Sequence, residues 1–470
     1  MTPELSDLLG ESAVDVQARL RGGSVQSEDL LTLLEGHHDS VDATLNALPT
    51  TCFARARGAA VRAGTLAPLH GMPVVVKDLT AVAGVRTTYG SPIYRDNMPT
   101  ESDFVVERIE ASGGLPYAKS NTPEFGCGGV TFNDVLGETR NPWNPAYTPG
   151  GSSGGSAAAL ASGQAWLALG SDFGGSLRLP ASFCGIVGLR PTPGCVPRGP
   201  SAVPFDRHWV EGPMGRSVAD VALLLDALVG QDRRDPLSTP REAGFLQAVD
   251  RPTDRVRIAS VGGLGLGALD PVVEQAVNEA LGKLDTLPDW EVMDRQLDLA
   301  AAREVFAVRR GLCYAAMFES FRRDSPELLR PDIISDLDRG LGFDATTIAR
   351  ADRLQGELWK VAEIVFRDAD ILACPTVVVP PFKAGQPSIA EVAGEALPTY
   401  YDWLRLTYSV SLIGVPAISI PCGFSPDGLP IGLQLMAPPH REARLLQVAA
   451  AAESRLDVFA DVSAPWQRRA

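Results

Sequence analysis

Apolar positions along the chain recur with two periods, and each period predicts a different element. Between residues 12 and 35, leucines and valines return every three or four positions, which predicts helical pieces broken at Gly22-Gly23 and restarted after Ser24 or Ser27. Residues 218–230 (VADVALLLDALVG) predict a helix ending at a glycine cap, and 271–284 a helix capped by Asp270 with Pro271 at its first position. Helical patterning dominates 300–366 and returns as an amphipathic stretch at 441–456. Shorter apolar runs read as strands: Met72–Val76, which delivers Lys77-Asp78 at its end, then Val256–Val261, Trp290–Met293, 415–420 and 429–436. The last two flank the turn Pro426-Asp427-Gly428, while 374–388 is proline-rich and reads as irregular. With no internal repeat and no clean linker, the pattern predicts one α/β domain over residues 1–470.

Composition narrows the classes. The 470 residues are 45% hydrophobic and 21% charged, ordinary for a soluble globular chain. A net charge of −15 with no basic run repels polyanions, so nucleic acid is not an expected partner. The seven cysteines are scattered and form no C-x-x-C pair, which predicts neither a disulfide framework nor a metal site. The N-terminus lacks a basic, then apolar, leader, and no stretch reaches 18 apolar residues. The expectation is a cytoplasmic protein with no membrane partner.

Two motifs suggest other chemistry and fail on context. Val74–Lys77 and Asp172-Phe173-Gly174 match fragments of a protein kinase, but no H-R-D loop or upstream glycine-rich phosphate loop accompanies them. Gly263–Ala268 (GLGLGA) lies between a strand and a helix and fits a relaxed dinucleotide fingerprint, with Asp294 after the next strand. Alone it is commonly plain turn chemistry, so a nucleotide-dependent enzyme is kept only as a distant rival.

The richest segment runs from Pro149 to Ser176. It holds Gly150–Ser156 (GGSSGGS), an alanine-rich helix pattern, and Ser171–Ser176 (SDFGGS). Glycines let backbone approach a ligand and leave amides free to converge, as an oxyanion site requires. A phosphate cradle would need the G-K-[ST] ending, which is absent. Five histidines exist, His37, His38, His70, His208 and His440, none within a nucleophile signature.

Gly150–Gly163 (GGSSGGSAAALASG), Ser171–Gly188 and Leu189–Thr192 resemble the signature of the amidase signature family, including the 24-residue interval from Ser152 to Ser176. The likeness extends to Pro73–Asp78, Asn141–Trp143, Gly212–Met214, Gly414–Cys422 and Gly428–Met436. The resemblance implies a central mixed, twisted β-sheet covered by helices on both faces. It also implies a signature core at about 70–215 and a helical, substrate-facing region at about 265–410.

Carried over, the resemblance makes Ser176 the nucleophile, Ser152 (after a cis bond to Gly151) the bridging serine and Lys77 the base. The amides of Phe173, Gly174, Gly175 and Ser176 form the expected oxyanion hole. Such a base must be neutral, and the apolar run before Lys77 suits the desolvation this needs. Asp172 and Arg178 are expected to organise the loop, and Phe173 to narrow the space by the nucleophile. Gly126, Cys127 and Tyr400 are the expected substrate contacts, with Tyr401, Trp403 and 374–388 nearby. The implied reaction is hydrolysis of a small amide or carbamate through an acyl-enzyme, without metal or cofactor. A homodimer is allowed, and the glutaminase component of a tRNA-dependent amidotransferase is the alternative.

Overall fold

The computed structural model describes residues 6–60, 67–240 and 244–467; Met1–Leu5, read above for a leader, lie outside them. Eleven strands among these residues form one sheet. In chain order they are β1 (Thr50–Thr51), β2 (Pro73–Lys77), β3 (Leu115–Ser120), β4 (Leu167–Asp172), β5 (Val187–Arg190) and β6 (Val210–Gly215), followed by β7 (Val256–Ser260), β8 (Trp290–Asp294), β9 (Ile371–Pro375), β10 (Ala417–Phe424) and β11 (Pro430–Met436). Their spatial order is β1-β3-β2-β4-β6-β5-β10-β11-β9-β7-β8. The pairs β3-β2, β2-β4, β9-β7 and β7-β8 are parallel and the others antiparallel, so the sheet is mixed.

Alternate residues of its strands enter two separate cores. Ile371 and Ala373 pack with helices Ser27–Leu45, Pro271–Leu284 and Glu442–Leu456, whereas Leu372 and Cys374 pack with Ala302–Asp324 and Ala345–Phe366. Side chains alternate across a strand, so helices cover both faces. β2 and β4 are buried along their whole length, as their near-continuous apolar runs require.

The expected elements form with local differences. The first helices span Ala13–Arg21 and Ser27–Leu45, separated at Gly22-Gly23. Asp270 caps Pro271–Leu284 by accepting from the Val272 amide at 2.9 Å. The helix at Val218 ends at Leu228, before the expected glycine cap, because Val229 is already extended. The segment 374–388 is not irregular throughout: Cys374 and Pro375 close β9, where Pro375, pairing with Leu433, is the last residue of the strand.

The glycine turn at 263–268 is filled by the chain itself. The Glu395 carboxylate accepts from the Ala268 amide at 2.5 Å and from Arg405 at 2.8 Å, and a Cβ at Gly267 would lie 2.4 Å from it. An anion already occupies the position a phosphate would need.

Candidate active site

β2 and β4 run parallel as neighbours, and their C-terminal ends bring Lys77 beside Ser171. Ser152 and Ser153 stand just before helix Gly154–Ala161, on the loop that carries the cis peptide bond between Gly151 and Ser152. The Lys77 side chain is fully buried and its Nζ lies within hydrogen-bond distance of three hydroxyls: Ser152 at 2.7 Å, Ser153 at 2.9 Å and Ser171 at 3.0 Å. Ser153 was not anticipated. Its hydroxyl donates to the Ser171 carbonyl and accepts from the Ser171 amide, both at 3.3 Å, which fixes its direction.

Burial pushes the Lys77 pKa down from its ordinary value, while Glu211 and Asp172 pull it up. Burial pushes Glu211 the other way, and Lys77 opposes that shift.

Ser176 follows a turn pinned by Asp172. The Asp172 carboxylate accepts from the amides of Gly175 at 2.9 Å and Leu177 at 3.2 Å, and is gripped by Arg178 and Arg190. Burial alone would raise its pKa, but the two guanidiniums hold it well below the usual carboxylate range. Arg178 also reaches Gln434 at 2.6 Å and Ser411 at 2.7 Å, tying the turn to β11 and helix Arg405–Leu412.

Of the four amides expected to form the oxyanion hole, one already has an acceptor. The Gly175 amide is engaged by Asp172. The amides of Phe173, Gly174 and Ser176 carry no acceptor among the described residues. The Ser176 carbonyl accepts from the Ser153 amide at 3.2 Å, which seats the turn against the Ser152 loop. The Ser176 hydroxyl makes no hydrogen bond among the described residues, to Ser152 or otherwise.

Ser176 opens on a cavity of about 40 Å³ walled by Gly126, Cys127, Phe173, Phe306, Arg310 and Tyr314. Gly126 and Cys127 were expected there. A Cβ at Gly126, whose φ is +73°, would lie 3.4 Å from Ser152 Oγ and 2.6 Å from Leu79. Burial raises the Cys127 thiol to about 12, so this cysteine is no competing nucleophile.

Tyr400 does not line the cavity. Its hydroxyl bonds Asp336 at 2.8 Å and Arg310, so it stands behind the arginine. Trp403 packs on Phe183 and Phe382 instead. Phe306, Arg310 and Cys313, from one face of helix Ala302–Asp324, were missed, although their i, i+4, i+7 spacing marks a shared face. Among the described residues no cluster of His, Cys, Asp or Glu could hold a metal, and no helix is long and apolar enough to cross a membrane.

Known proteins match this chain along nearly its whole length. The family model described as Amidase matches residues 29–446. An acylamidase from Rhodococcus erythropolis is 35% identical over 456 residues, covering 93% of this chain and 94% of its own. The A component of a glutamyl-tRNA(Gln) amidotransferase from Synechococcus sp. (strain CC9605) is 36% identical over 479 residues, covering 94% and 96%. The solved structure of 6-aminohexanoate cyclic dimer hydrolase complexed with substrate superposes with a TM-score of 0.88 at 29% identity, over 98% of this chain and all of that one.

Proposed function

The chain belongs to the amidase signature family, and on that premise we propose that it is an amidohydrolase that cleaves a small carboxylic amide, or a related C–N acyl bond such as a carbamate, through an acyl-enzyme on Ser176. The observation that carries this reading is the fully buried Lys77 amine held 2.7 Å from Ser152 Oγ, on the loop against which Ser176 is seated.

The hydrogen bonds support a direction for proton flow. Ser153 has committed its own proton to the Ser171 carbonyl, so it accepts from Lys77. A neutral amine has two N–H groups and one lone pair. With N–H groups aimed at Ser153 and Ser171, the lone pair faces the Ser152 hydroxyl. Ser152 then passes its proton to Lys77 as it takes the proton of Ser176, and Ser176 Oγ attacks the carbonyl carbon. The amides of Phe173, Gly174 and Ser176, which carry no acceptor among the described residues, receive the developing oxyanion.

Collapse of the tetrahedral adduct breaks the C–N bond, and Lys77 returns its proton through Ser152 to the departing nitrogen. Water then attacks the acyl carbon as Ser152 and Lys77 take its proton. Collapse breaks the bond to Ser176 Oγ while Lys77 returns that proton through Ser152 to Oγ, which frees the carboxylic acid and Ser176. The chain supplies every proton acceptor these steps require.

The cavity favours an apolar acyl group, since Phe125, Phe173, Phe306 and Tyr314 form its walls. The likeness to an acylamidase agrees with this. A glutaminase role in a tRNA-dependent amidotransferase is the second reading, supported by 36% identity to the A component of such an enzyme. Comparing kcat/KM for glutamine with that for aryl and aliphatic amides, carbamates and esters separates the two: preference for glutamine overturns the first reading.

The mechanism is tested with a serine-directed phosphonofluoridate. The adduct is expected on Ser176, absent in Ser176→Ala, and slowed about 10²–10⁴-fold in Lys77→Ala. An adduct elsewhere, or undiminished labelling without Lys77, overturns the assignment.

A further inference from the structure

Ser171 on β4 lies directly opposite Glu211 on the antiparallel strand β6. Opposed residues project to the same face with Cβ atoms about 4.5–5.5 Å apart. The hydroxyl of Ser171 in turn receives a hydrogen bond from Lys77 Nζ at 3.0 Å. One serine therefore neighbours Glu211 across the strands and Lys77 through its hydroxyl.

Glu211 is only 6% exposed. Its Oε1 accepts from Trp209 Nε1 at 3.3 Å, whereas Oε2 is shut from solvent and has no hydrogen-bond partner. The other groups acting on Lys77 are Asp172 and the Cys127 thiol. Asp172 is offset by Arg178 and by Arg190 of β5, and Lys119 of β3 is paired with Asp78 at 3.6 Å. Asp103 and Arg198, of opposite sign, act on Glu211 from its other side and share a cavity of about 220 Å³ with it. Among the described residues, Glu211 is thus the carboxyl acting on Lys77 that makes no ion pair.

We propose that Glu211 is a positioning residue for the proton relay, its carboxyl governing whether Lys77 carries a proton. The inference rests on the reading of Lys77 as base. Two groups of opposite sign share a dry environment in which burial favours both uncharged forms. With the carboxyl protonated, Lys77 gives up its proton at lower pH and becomes a free amine that can draw a proton through Ser152. With the carboxyl ionised, its field keeps the ammonium charged to higher pH, so the relay engages only at higher pH. The two groups titrate as a pair, and the pair sets the lower pH limit of activity.

The test is the acid limb of the pH profile, read both as kcat/KM and as the phosphonofluoridate labelling rate. Glu211→Gln removes the ionisable group while keeping its shape. The limb is expected to move to lower pH by about one unit, a tenfold gain in relative rate at the acid end. Glu211→Asp, which keeps the carboxyl, is expected to stay near the wild-type midpoint. If Glu211→Gln misfolds, Glu211→Leu replaces it. Independently of either variant, the wild-type protein is expected to lose a protonated-carboxyl infrared band with the midpoint of the acid limb.

An unmoved limb in a folded variant, or no such band in the wild type, overturns the proposal. If Lys77→Ala is inert while the limb stays put, only the role of Glu211 fails. If Lys77→Ala labels at the wild-type rate, the relay itself fails.

Discussion

Thr407 occupies the space that a side chain at Gly175 would need. A Cβ at position 175 would lie 2.2 Å from Thr407 Oγ1, and the residue sits at φ +124°, a conformation that side-chain-bearing residues rarely adopt. The same hydroxyl donates to the Gly174 carbonyl at 2.7 Å, so helix Arg405–Leu412 sets the height of the turn beneath Ser176. Gly175→Ala is expected to displace that turn and lower kcat by about 10²-fold, since a shift near 1 Å costs that much. Steady-state kinetics, with near-ultraviolet circular dichroism to verify folding, checks it.

Lys77 is expected to leave a signature in stability as well as in the proposed catalysis. Burial lowers its folded pKa despite Glu211 and Asp172. The unfolded chain therefore binds more protons between that lowered value and about 10.4, and stability rises with pH across the interval. Lys77→Met removes the slope. Thermal unfolding at about pH 7 and about pH 9 is expected to show wild type gaining on the variant at the higher pH. Equal differences at both would contradict the burial-driven shift.

Asp172 works in the same sense over a lower range of pH. Its folded pKa is depressed, so its contribution is present above the unfolded value of about 3.9 and is lost as pH falls through the folded one. Asp172→Asn leaves the buried Arg178 and Arg190 without a countercharge, which costs about 3–5 kcal/mol. Urea unfolding measures this, and a loss below about 1 kcal/mol, the worth of an exposed pair, would contradict the network.

Phe173 stands at the cavity wall between Phe306 and His208, with ring centroids 5.9 and 5.8 Å away. Phe173→Ala enlarges the space beside Ser176 without touching Lys77 or Ser152. The ratio of kcat/KM for bulky over small acyl groups is expected to rise by about 10- to 200-fold. An unchanged ratio would place the acyl group elsewhere.

Much of this arrangement was legible in residues. The apolar run ending at Lys77 pointed to a buried strand delivering a polar group, and the structure places it so. Asp172 and Arg178 were expected to organise the loop, and they do. Glu211 was invisible because its relation to Lys77 depends on β2, β4 and β6 lying side by side, an order that runs of hydrophobicity do not encode. The engaged amide of Gly175 was hidden for a related reason, since a glycine string does not say which N–H turns toward which carboxylate. β9 was missed because Pro375 and the prolines after it read as breakers, although a proline at a strand end costs little.

The order of strands has one more consequence. Lys77, Ser152, Ser171 and Glu211 come from stretches far apart along the polymer and meet only when β2, β4 and β6 have joined. No isolated hairpin or helix contains a working fragment of the centre. On the proposed reading, the hydroxyl at position 176 stays an ordinary alcohol until long-range closure is complete, and reactivity is conferred last, by the finished architecture.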